Sequence, residues 1–163
     1  MRAAIEAHLH SHHVARVIYG AIIGLSVILV QESHPPAAGV VVASLIATAI
    51  AVALAELYSD VVATEARTHQ RVARERLGDI GAEAAAVAFG VAFPAAFFLL
   101  AVAGAMELDT AFRLAKWSGL GLIGFYGFAA ARLAGASVLG CVFQALFAAM
   151  IGALLIALKA LVH

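Results

Sequence analysis

The chain has 163 residues, 64% apolar and 12% charged, with Lys+Arg and Asp+Glu both at 10 and a mean hydropathy of +1.02. Soluble domains average about 45–50% apolar and about 25% charged residues, so the composition excludes a disordered chain and a soluble single-domain enzyme. Balanced charge without a long basic tract gives no reason to expect nucleic acid as a partner. What is left is a small, all-α, multi-pass membrane protein whose main partner is the lipid bilayer.

The N-terminal stretch from Glu6 to His13 holds His8, His10, His12 and His13. On a helix His8 and His12 share one face, while Glu6, His10 and His13 fall near another. Such a tract either contacts divalent metal through neutral imidazoles or lies as an amphipathic helix at the interface. It does not resemble a closed zinc motif. It also lacks a strongly basic flank and a cleavage site, so it does not read as a removable signal.

A helix crosses the hydrocarbon with about 20 mostly apolar residues. The first predicted span is 14–30, with Arg16 near its start expected to snorkel to the interface. The polar stretch from Gln31 to Pro36 ends it, because its two prolines lack backbone donors and need solvent. The second span is 37–58. The connection 59–83 is polar and carries Arg67, Arg71, Arg74 and Arg76; from Val61 to Leu77 it has no glycine or proline. Good helix formers there predict that the second helix continues to Leu77 as a cytoplasmic stalk, broken at Gly78-Asp79-Ile80-Gly81. The third span, 84–106, contains Pro94, a candidate kink. The fourth, 111–131, is rich in glycine, and the fifth is 138–161. Five spans in a single domain, 1–163, is the resulting count.

Placing Arg2, Arg16, Arg67, Arg71, Arg74, Arg76 and Arg132 inside leaves Arg113, Lys116 and Lys159 outside. That asymmetry predicts a cytoplasmic N-terminus and an external C-terminus, with the bacterial plasma membrane as the expected location. Tyr58 and Trp117 fall at span ends, where amphipathic rings anchor. Cys141 lies in an apolar run and reads as a buried, inert thiol.

Gly20 and Gly24 form a GxxxG in the first span, and Gly119, Gly121, Gly124 and Gly127 crowd the fourth. Small residues let membrane helices approach closely, either within one bundle or across a dimer seam.

Glu56 and Asp60 stand four residues apart at the end of the second span, on one helical face. Carboxylates at this depth are costly and favour the bundle interior or a wet cavity. Two hard oxygen donors there suit a divalent cation such as Mg²⁺, Mn²⁺ or Fe²⁺, or a proton; the alternative is solvation among headgroups or pairing with arginine. Glu65 and His69 repeat the spacing further on, as a two-ligand edge for a transition metal. Glu75, Asp79 and Glu83 do so again, read either as metal donors or as a solvated charged face with Glu75 paired to Arg71. No Walker loop, nucleophile elbow or HExxH motif is present. Neither an enzyme nor a tightly bound cofactor is expected.

Two segments resemble the vacuolar iron transporter family. His13-Val14-Ala15-Arg16-Val17-Ile18-Tyr19-Gly20-Ala21-Ile22-Ile23-Gly24-Leu25 is similar to the start of that family's first span. Ala53-Leu54-Ala55-Glu56-Leu57-Tyr58-Ser59-Asp60, followed by an arginine- and glutamate-rich helix, resembles the end of its second. The five-span count with N-in and C-out also fits, and the chain looks like a shortened, divergent member. Ile23 stands where the family has an aspartate, and the connection after span two is shorter than the family's glutamate-rich module. The resemblance implies a homodimer exporting divalent iron or manganese, coupled to protons, with Glu56 on the ion path. A non-transporting membrane scaffold or interaction subunit, which kept the fold and lost the ion path, is the competing expectation.

Overall fold

The computed structural model describes residues 11–162, and every regular element among them is helical. In chain order these are α1 (Ser11–Glu32), α2 (Ala38–Thr68), α3 (Arg74–Ala92), α4 (Ala95–Val102), α5 (Leu108–Leu133) and α6 (Val138–Val162). His8 and His10 lie outside the described residues, as does the side chain of His12.

The helices run up and down between two ends of one bundle. α1 is central and touches α2, α3, α5 and α6. Its buried stripe of Val14, Val17, Ala21, Leu25 and Ile28 follows the 3.6-residue period of a helix that buries one face. At one end a core of Ile28, Val41, Leu45, Ala95, Phe98, Ala111, Phe112 and Ala115 joins α1, α2, α4 and α5. Phe98 and Phe112 meet edge-on at 4.9 Å between ring centroids. A smaller cluster of Ala21, Ile123 and Ala148 joins α1, α5 and α6.

Glycine sets the closest approaches. A Cβ at Gly20 would stand 2.1 Å from the Val87 carbonyl oxygen, one at Gly24 2.8 Å from that of Val91, and one at Gly90 2.4 Å from that of Val17. The GxxxG of α1 therefore lies backbone to backbone against α3 of the same chain, the arrangement that small residues permit. On α5, a Cβ at Gly127 would stand 2.9 Å from the Ala148 Cβ of α6, and one at Gly124 3.7 Å from the Ala145 carbonyl oxygen. A Cβ at Gly119 would touch only Leu25 at 3.8 Å, and Gly121 faces open space.

Two helices, 13–32 and 38–68, are long and apolar enough to cross a membrane. α3 and α4 would make a third span if counted together, bent by 49° at Pro94. That bend is the kink expected of a proline, which lacks the donor for the helical ladder. The residues of the glycine-rich and C-terminal predicted spans fold as α5 and α6, neither of which is among the helices long and apolar enough to cross a membrane over its described residues.

The second helix stops short of the predicted stalk: α2 ends at Thr68 and does not run on to Leu77. His69 caps it in the left-handed region at φ 54°, with its N–H donating to Glu65 O at 2.9 Å. The Thr68 hydroxyl donates to Thr64 O at 2.9 Å and accepts from Gln70 N at 3.4 Å. Gly78 and Gly81, expected to break the helix, lie instead inside α3. Propensity marks no stop at residues 69–73, but an unbroken helix would hold Ile80, Val87 and Val91 away from the bundle. Turning early packs that face on α1 and α2, and burying it outweighs the roughly 1 kcal/mol that each helical glycine costs.

Candidate functional site

The buried stripe of α2 begins as Val41, Leu45 and Ala49 and continues at the same period to Glu56 and Asp60, so it turns from apolar to acidic along one face. α3 does the same in miniature. Glu83 lies on the stripe formed by Ile80, Ala84, Val87 and Val91, and is itself buried. α1 brings Arg16 to the point where these stripes meet.

There one guanidinium serves three carboxylates. Arg16 Nη1 donates to Glu56 Oε2, while Nη2 donates to Asp60 Oδ2 at 2.7 Å and to Glu83 Oε2 at 3.2 Å. The side chains are only partly accessible: 25% for Arg16, 18% for Glu56, 27% for Asp60 and 11% for Glu83. Arg76 approaches the far oxygen of Glu83 at 4.0 Å and Asp79 at 3.6 Å. The cluster ties α1 to α2 and α3 through charge-assisted hydrogen bonds. With Arg16 alone it holds three negative charges against one positive, and Arg76 only partly offsets the excess.

Arg16 thus turns inward and does not snorkel outward to the headgroups. The reason is electrostatic: three partly buried carboxylates without a cation would be far costlier than one arginine held among them. Of the residues expected to form the site, Glu56 and Asp60 come together. Glu65 and His69 do not join them; both are exposed on the last turn of α2 and its cap. Glu75 is exposed at the start of α3. His13 is half-buried and edges a cleft of about 410 Å³ beside the cluster, with Tyr126 as a second polar edge and Val17, Ala86 and Phe89 on the wall. Among the described residues, no three His, Cys, Asp or Glu side chains are arranged to hold a metal ion.

Comparison with protein-family models, curated proteins and solved structures finds no match to this chain.

Sequence reasoning grouped Glu83 with Glu75 and Asp79, and missed both its place beside Glu56 and Asp60 and the inward role of Arg16. The signal for Glu83 was its register with Ile80, Val87 and Val91, obscured by the polar character of the segment 59–83 as a whole. For Arg16 the signal was the excess of carboxylates at the same end of the bundle.

At the other end of α1, Lys116 of α5 donates to Glu32. Their side chains are 22% and 25% accessible. Gln31 Oε1 and Ser33 Oγ close by are shielded from solvent and have no hydrogen-bond partner among the described residues.

Proposed function

We propose that the chain is a five-span integral membrane carrier of divalent cations, of the iron or manganese kind. Its cation or proton site is Glu56 and Asp60, joined by Glu83. The observation that carries this reading is the mismatch of three carboxylates around one guanidinium at the mouth of the bundle. In the resting form Arg16 acts as a tethered counter-ion in the place a substrate cation would take. An arriving dication or proton neutralises the acids and frees Arg16, so ion binding and helix movement are linked. The arginine-rich end faces the cytoplasm, α2 ends in a short polar extension, and the protein works as a homodimer in a bacterial plasma membrane. Resemblance of 13–25 and 53–60 to the vacuolar iron transporters supports the ion class, and neither a tightly bound cofactor nor catalysis is required.

The test is flux into proteoliposomes across a panel of divalent ions and protons, with thermal stability read in the same panel. Glu56→Gln and Asp60→Asn should each abolish the flux that the unaltered protein supports. Unchanged flux of every ion in both variants would end the proposal.

A second reading is a non-transporting scaffold in which the cluster is a structural lock. It is favoured by the pairing of Arg16 with all three acids and by Ile23 in the first span. It expects no flux from the purified protein and a membrane partner that co-purifies.

A further inference from the structure

We propose that α1 is a rocking element held by two alternating ion-pair gates, Arg16 with its carboxylates at one end and Glu32–Lys116 at the other. This rests on the carrier reading above and adds how access would pass from one side to the other. The two ties have opposite sense: at one end α1 supplies the cation, and at the other it supplies the anion. They lie sixteen residues apart in the chain, about 24 Å along a helix, close to the depth of a bilayer's apolar layer.

Between the ties α1 has the makings of a fulcrum. Gly20 and Gly24 rest on the backbone of α3 at Val87, Gly90 and Val91, so this contact is not a set of interlocked side chains that must change rotamer for the helix to tilt. Ser26 in this stretch bonds back to Ile22 O at 2.9 Å, within α1 itself. At the Glu32 end the Glu32–Lys116 pair, with side chains 25% and 22% accessible, is the tie that must part for this side to open. Tilting α1 about the glycine contact opens either tie while pressing its opposite closed, which makes the gates reciprocal.

The experiment uses full-length protein in lipid vesicles with Cys141→Ala and spin labels placed at two pairs of exposed positions. Val30 and Arg113 report on the Glu32 end, and Ala15 and Tyr58 report on the Arg16 end. In Lys116→Gln, a longer Val30–Arg113 distance should rise about tenfold from a minor population, while the Ala15–Tyr58 distribution narrows or stays short. Arg16→Gln should do the reverse. The charge exchange Glu32→Lys with Lys116→Glu should restore the original distances, which a merely unfolded variant could not do. Distances unmoved in both single variants would overturn the proposal, as would both ends loosening together or no restoration by the exchange. No transported ion is present in the measurement. Absence of flux therefore defeats the carrier reading alone, whereas uncoupled ends defeat the rocker even where flux is found.

Discussion

α1 and α2 are both apolar enough to span a bilayer, yet they occupy opposite places in the molecule. Of the apolar stretch of α1, 44% is buried inside the protein, against 17% for α2. α2 exposes Val40, Ile46, Ile50, Leu54 and Leu57, whereas α1 presents its glycines and its ion-paired ends to neighbours. Lipid is as apolar as leucine, so large aliphatic side chains gain little from turning inward. Small residues and charges are what the interior selects. In this chain the apolar count identifies membrane helices, and the interruptions in it identify the centre of the bundle.

That contrast can be broken first at the glycine contact. Gly20→Leu should be the most damaging single change, because even a Cβ there meets the Val87 carbonyl at 2.1 Å. The cost should reach or exceed about 3 kcal/mol, read as lost thermal stability in detergent. Ile50→Ala on the exposed face of α2 should stay within about 0.5 kcal/mol. Equal losses at the two positions would refute the contrast.

Charge sharpens it next. Arg16→Ala should cost about 3 kcal/mol, the low end for breaking a buried pair, because its side chain is 25% accessible. Asp60→Asn should cost less, about 1 kcal/mol, since Arg16 keeps two carboxylates. The same thermal series checks both, and a larger loss in Asp60→Asn than in Arg16→Ala would show that the acids are not in excess. At the α5–α6 contact, Gly127→Ala meets the Ala148 Cβ at 2.9 Å and should destabilise by about 1 kcal/mol. Smallest of all, the buried Cys141 should resist a water-soluble maleimide in the folded protein and react only after denaturation.

Much of this was legible in the residues. The helical class, the Pro94 bend and the shared face of Glu56 and Asp60 follow from hydropathy and from the 3.6-residue period. The end of α2 at Thr68 was not legible, because residues 69–73 hold neither glycine nor proline and the stop comes from tertiary packing of α3. Arg16 was misread for a related reason. Its chain neighbours are apolar, and the acids that hold it are 40, 44 and 67 residues away. Local pattern carries no information about partners at that range. The glycines divided in the same way: Gly20 and Gly24 are tightly packed, while Gly121, with similar neighbours, faces open space.

α2 is longer than the apolar layer it would cross. Its 31 residues extend about 46 Å, beyond the roughly 30 Å of hydrocarbon, and Asp60 falls about 33 Å from its first residue. The acidic cluster would then stand level with the phosphates of the adjoining leaflet. In a leaflet rich in anionic phospholipid, a surface potential near −30 mV concentrates a dication about tenfold. On the carrier reading proposed above, the bilayer would supply some of the apparent affinity for a dication, and a vesicle's phosphatidylserine content would tune it without any change in the protein.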